Sequence, residues 1–178
     1  MLQNYNKWRL AGVFFGNPMP ESNGFQLREL SRLAKIAPTS TKIYLKKLKA
    51  DGIIKDSLHR PGYPLYSADR ESAAYKFYKV IYNLSLIHES GILEYLQEAC
   101  MPDAIVLFGS FSKGEDTKDS DIDLFLLCSE EKTNLIKFEK KIGRRVSLFF
   151  SENFNSLSSE LRNNIINGIK LKGYLKVF

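Results

Sequence analysis

The chain has 178 residues, near the usual size of one domain and long enough for two small ones. Apolar residues make up 44% and charged residues 26%, which excludes wholesale disorder and a fibrous repeat, while a net charge of +6 and a pI near 9.2 suggest an acidic partner, nucleic acid before an anionic membrane surface. No apolar run approaches the ~20 residues of a membrane-spanning helix, and Leu10–Phe15 is too short for a secretory core and ends in Gly-Asn-Pro, so a soluble cytoplasmic protein with no membrane partner is expected.

Gln3 to Phe15 can form a helix, stopped by Gly16-Asn17-Pro18. Leu27, Leu30, Leu33 and Ala34, followed by Ile36, mark the apolar face of a second helix, with Arg28, Glu29, Arg32 and Lys35 outside. Pro38 interrupts it and starts a third helix at Thr39-Ser40-Thr41, which runs to Asp51 before Gly52. Ile53-Ile54 begins a strand, and Arg60-Pro61-Gly62-Tyr63-Pro64 is a turn into a second strand around Leu65-Tyr66. Three helices and a basic-tipped hairpin over residues 1–68 resemble a winged helix-turn-helix domain. In that arrangement Leu45 and Leu48 anchor the third helix on the core. Ser40, Lys42, Ile43, Lys46 and Lys47 then face a DNA groove, and His59 and Arg60 at the wing tip reach phosphates. The alternative is that the lysines merely solvate a helix and the fold makes protein contacts.

From Asp69, the positions Ala73, Ala74, Phe77, Val80, Ile81, Leu84 and Ile87 recur at helical spacing, giving a long amphipathic helix that ends near Ser90-Gly91. A further helix with Ile92, Leu93, Leu96 and Ala99 inward leads to Met101-Pro102. Such a pair either packs one domain on another or pairs the chain with a second copy as a homodimer. Residues 1–99 carry 14 Lys/Arg against 9 Asp/Glu, and residues 100–178 carry 12 against 11. This shift, with a change to strand-like patterning, places a boundary near residue 100. Cys100 and Cys128 read as buried thiols, and His59 and His88 stand alone, so no zinc site or disulfide is expected.

Asp103 to Ser110 is an uninterrupted apolar run ending in Gly-Ser, the pattern of a fully buried strand. After a polar loop, Asp121-Ile122-Asp123 opens a second apolar strand to Leu127, and period-two geometry puts both aspartates on one face. Paired carboxylates beside a core repel unless a cation lies between them, and magnesium prefers a few carboxylate oxygens with water and phosphate. Gly109 lets the backbone approach a phosphate closely. Ser110 supplies a hydroxyl at a helix start, and Lys113 adds charge at the same mouth. Each piece alone also fits an ordinary turn and a solvated strand start; together they point to a nucleotide site with Asp121 and Asp123 as catalytic metal ligands.

Gly109-Ser110, ten intervening residues and Asp121-Ile122-Asp123 resemble the signature of the DNA polymerase beta-type nucleotidyltransferase superfamily, in particular its minimal members. The resemblance spans roughly residues 88–178. It takes in a helix from Ser129 to Ile142, a third strand at Arg144–Phe150, and a last helix marked by Leu157, Leu161 and Ile165 and closed by Gly168. It implies an α+β protein whose C-terminal domain, residues 100–178, is a short mixed sheet flanked by helices, after a winged helix-turn-helix at 1–68 and connecting helices at 69–99. It also implies that Gly109 and Ser110 hold a nucleoside triphosphate, to which the nearby Lys113 adds charge, with ATP the expected donor, and that Asp121 and Asp123 bind Mg2+. One departure stands out. Active members often carry a third carboxylate in the third strand, where this chain has Ser147, and Glu152 could substitute only if the chain bends back.

Two functions follow. One is a magnesium-dependent nucleotidyltransferase that passes a nucleoside monophosphate to an acceptor hydroxyl, with the DNA-binding domain fixing location; the acceptor could be a protein such as a partner toxin. The other is a DNA-binding regulator or antitoxin-like protein whose nucleotidyltransferase-like domain binds nucleotide with weak or no activity, which Ser147 and the basic N-terminal part favour.

Overall fold

The computed structural model describes residues 5–57 and 64–177, so His59 and Arg60, the expected wing-tip contacts, lie outside the described residues. The chain divides into two compact units, residues 1–82 and 83–178. Among the described residues no helix is long and apolar enough to cross a membrane.

In the first unit, α1 (Asn6–Gly16) buries Leu10, Ala11, Phe14 and Phe15. The two-residue strand β1 (Phe25–Gln26), which the sequence did not announce, leads directly into α2 (Leu27–Ala34). The Gln26 amide donates to the Glu29 carboxylate at 3.3 Å, satisfying an N–H that the first turn would leave open. Lys35, at φ +53°, ends α2 in the left-handed conformation. α3 (Pro38–Ala50) opens on its proline and buries Leu45 and Leu48, as expected, together with Thr41. The strands β2 (Ile54–Ser57) and β3 (Leu65–Ala68) pair antiparallel, and β1 joins them in the order β1-β3-β2. Phe14 meets Phe25 edge-on at 5.5 Å inside this core.

Four inward assignments are corrected, since Ala73 and Ala99 are exposed along with Leu33 and Phe77. Leu33 is 54% exposed, because at 100° per residue it lies roughly 110° around α2 from the stripe of Leu27, Leu30, Ser31 and Ala34. Ser31 takes an inward place by donating its hydroxyl to the Ile36 carbonyl at 2.6 Å. In α4 (Ala73–Ser90), Phe77 is exposed, and the buried residues are Tyr75, Lys79, Asn83, Ile87 and Ser90. Lys79 tolerates burial because its ammonium donates to the Phe15 carbonyl at 2.6 Å, where α1 ends.

The division between units falls inside α4, at Tyr82/Asn83, rather than near residue 100. The physical reason is that Ile87 and α5 (Ile92–Cys100) share a core with the C-terminal strands. Those strands are β4 (Ala104–Phe108), β5 (Ile122–Leu127), β6 (Val146–Ser151) and β7 (Ile169–Gly173), in the order β6-β5-β4-β7. β5 and β6 run parallel while β4 pairs antiparallel with both neighbours, so the sheet is mixed. One face, with Ile105, Leu107, Ile122, Leu124 and Leu126, packs on Ile92, Leu96, Phe138 and Ile142. The other, with Val106, Phe108 and Phe125, packs on Phe154 and Ile165.

Between the strands lie α6 (Gly109–Lys113), α7 (Ile136–Ile142), a 3-10 turn at Phe154–Ser156 and α8 (Ser159–Ile166). The helix expected from Ser129 forms only from Ile136. Asn134 binds elsewhere instead, its side-chain oxygen accepting from the Ile136 amide at 3.3 Å and its backbone N–H donating to the distant Tyr95 hydroxyl at 2.9 Å.

Candidate active site

β4 is apolar on both faces and buried along its whole length, so the chain leaves the core at Phe108 and turns at once. Gly109 makes that turn at φ +70°, a left-handed conformation that side chains disfavour. A second constraint comes from the neighbouring strand. The register pairs Phe108 with Asp123, and a Cβ on Gly109 would overlap the Asp123 carboxylate. Glycine is therefore required both by the backbone and by the acid that fills its missing side chain. α6 follows, with Ser110 half-buried, the Ser112 hydroxyl donating to the Gly109 carbonyl at 2.8 Å, and Lys113 exposed in the last turn.

Asp121 is exposed immediately before β5, and Asp123 is half-buried within it, while Ile122 and Leu124 point into the opposite core. Burial holds the Asp123 carboxyl above its ordinary pKa, and the negative charge of Asp121 raises it further. A carboxylate costs free energy there unless a positive charge compensates it. Asp123 pairs on its other side with Ser147 in the parallel register, so the position beside the acid pair carries a hydroxyl and no third carboxylate. Glu152 does not replace it. β6 runs regularly to Ser151, which puts Glu152 about 16 Å along the strand from Ser147 at roughly 3.3 Å per residue.

Among the described residues no group of three His, Cys, Asp or Glu side chains could hold a metal ion. The donor set that is present, two carboxylates beside a glycine turn, fits a hard divalent cation that completes its shell with water and phosphate oxygens.

The loop between the glycine turn and the acids is fixed by a residue that motif reading missed. Asn83, fully buried on α4, donates through Nδ2 to the Phe111 carbonyl at 2.8 Å and to Asp116 Oδ1 at 2.7 Å. One amide thus pins α6 and the middle of the loop together. The Glu115 amide donates to the Ser110 carbonyl at 3.0 Å, and the Thr117 amide donates to the Ser120 hydroxyl at 2.9 Å, just ahead of Asp121. The available signal was a polar residue interrupting the apolar stripe of α4.

The residues expected to touch DNA belong to the other unit. Lys42, Ile43, Lys46 and Lys47 are exposed on α3, and Ser40 is half-buried near its start. Lys47 lies 5.8 Å from the Tyr44 ring centroid, a cation–π distance that leaves its charge at the surface.

Residues 90–173 match the family model described as polymerase beta, nucleotidyltransferase. The match spans just under half of the chain and supports, for this part of it, the polymerase beta-type nucleotidyltransferase superfamily and, at the family level, a transferase domain. The match contains Gly109, Ser110, Asp121, Asp123 and all four strands of the mixed sheet. No curated protein matches the chain.

Proposed function

We propose that the protein is a magnesium-dependent nucleotidyltransferase that transfers a nucleoside monophosphate from a nucleoside triphosphate, ATP in the first instance, to an acceptor hydroxyl. The observation that carries this reading is the Asp123 carboxylate seated in the space left by Gly109, with its proton affinity raised by burial and by Asp121. A fold that half-buries one acid beside another gains from a bound cation and polyphosphate. Gly109 leaves the room in which the Asp123 carboxylate sits, while Ser110 would offer the phosphates a hydroxyl and Lys113 a positive charge. Asp121 and Asp123 would hold Mg2+, which when bound supplies charge neutralisation on the triphosphate. The acceptor hydroxyl releases its proton to solvent as its oxygen forms a bond to the α-phosphorus, the bond to the bridging oxygen breaks, and pyrophosphate leaves with the electron pair.

The order α1-β1-α2-α3-β2-β3, with the sheet order β1-β3-β2, supports reading the first unit as a winged helix-turn-helix. α3 would enter a DNA groove through Ser40, Lys42, Lys46 and Lys47, with His59 and Arg60 as the proposed wing contacts. A second reading has one specific observation in its favour, the Ser147 hydroxyl in register with Asp123. It is a DNA-binding regulator or antitoxin-like protein whose nucleotidyltransferase-like domain binds nucleotide with weak or no turnover, whereas a protein acceptor such as a partner toxin belongs to the first reading.

Incubating the full chain with labelled ATP, Mg2+ and cell extract separates the two. Label appears on a discrete acceptor under the first reading and is lost in a D121A/D123A protein. Residual transfer by that double variant would overturn the assignment of the acids.

A further inference from the structure

The acid-bearing face of the C-terminal sheet loses its cover at β6. On β5, Phe125 is completely buried, with Phe154 covering it at a centroid distance of 6.1 Å. Its register partner one strand further out, Phe149, is 38% exposed. Phe149 follows Ser147 by two residues, so it shares a face with Ser147 and Asp123. Its ring meets the edge of Phe108 at 5.2 Å and 66°, and Phe108 is the β4 residue paired with Asp123 and followed by the glycine turn. The exposed ring is therefore held in orientation by the same residue that leads into Gly109.

The order across the sheet gives the site a direction. Gly109 and Ser110 lie at the end of β4, Asp123 on β5, and Ser147 and Phe149 on β6. A triphosphate anchored at the glycine turn, with its α-phosphate at the acids, sends its nucleoside toward β6. There a small serine, in place of a bulky acid, leaves room beside an open aromatic face.

We propose that Phe149 is the platform on which the base of the bound nucleoside triphosphate stacks. The proposal rests on the nucleotidyltransferase reading and adds to it how the base is held. A phenyl face has no hydrogen-bonding code, so it accepts every base and favours the larger purine rings.

The test is calorimetric titration of the full-length wild type, F149A, F149L and F149W, with Mg2+ present, using ATP and inorganic tripolyphosphate as probes. Both F149A and F149L should weaken ATP binding by about 5- to 150-fold, the range measured for removing one base–aromatic stack, and F149W should retain it. Tripolyphosphate, which has no base, should bind all four proteins equally. F149L keeps apolar bulk without an aromatic face, so it separates stacking from packing if F149A is poorly folded. Unchanged ATP affinity in F149L, or an equal loss of both probes, would overturn the platform while leaving the phosphate site intact. A wild type that binds neither probe would overturn the nucleotidyltransferase reading, and the platform with it.

Discussion

The two units hold their chemistry-bearing residues at different cost to the fold. On α3, Lys42, Lys46 and Lys47 stand in solvent, while Leu45 and Leu48 do the packing; many polar residues would serve the helix equally well. In the second unit, Asp123 is half-buried, its pKa is raised by desolvation and a like charge, and its carboxylate would have to move to admit a side chain at position 109. A residue that burdens the fold and restricts its neighbour calls for an explanation outside folding, whereas a solvated lysine calls for none. Function is therefore better supported by geometry in the second unit than by charge in the first.

The largest expected effect breaks the comparison at Asp123. D123N should lower nucleotidyl transfer by more than about 100-fold, beyond the roughly 10- to 100-fold typical of residues that only support a metal ligand. The same variant should melt at a higher temperature near neutral pH in the absence of metal. Because the native carboxyl binds its proton more tightly than the unfolded one, the folded chain is favoured on the acid side. Stability falls as pH rises from the ordinary aspartate range through the raised value. Melting curves across that range should show this descent in the wild type and a flatter profile in D123N. A D123N protein that is both less stable and fully active would mean that the acid belongs to the fold and not to a site.

The next effect sharpens the contrast within the second unit. N83A removes the amide that joins Phe111 to Asp116 and leaves buried acceptors without it, at a cost of about 1–3 kcal/mol. Its signature should be local. Amide hydrogen exchange should speed up at residues 110–121 while the amides of β4 and β5 keep their protection, and the KM for ATP should rise more than kcat falls. Uniformly faster exchange across the sheet would make Asn83 a general packing residue with no particular hold on the loop.

These expectations also mark how far the sequence could be read. The Gly109-Ser110 turn, the two acids and the serine at position 147 were legible because each depends on local chemistry and period-two alternation, and the register places Asp123 between Phe108 and Ser147. β7 was not anticipated, although Ile169-Lys170-Leu171-Lys172 alternates; a five-residue strand is weak evidence until β4 offers it an edge to pair with. Lys79 and Asn83 on the buried side of α4 are polar, so a search for apolar periodicity passes over them. Their burial is stabilised by the Phe15, Phe111 and Asp116 oxygens, which are 28 to 64 residues away in the chain. Leu33 failed in the opposite direction, since an apolar residue at i+3 looks inward until the serine at i+1 finds a carbonyl acceptor.

The smallest effect on the fold is expected at α3. K46A/K47A removes two exposed charges and should change stability by no more than about 0.5 kcal/mol, as is usual for surface sites away from buried features. Its effect should appear in the salt dependence of DNA binding. If both lysines neutralise phosphates, a plot of log affinity against log salt becomes shallower by roughly 0.9 for each phosphate no longer neutralised, and affinity falls alike for every DNA sequence tested. Nucleotidyl transfer to a non-DNA acceptor should be unchanged. An unaltered slope would make these lysines solvating residues and leave the first unit as a protein-contact module, while the case for the second unit, which depends on Asp123 and Gly109, would stand.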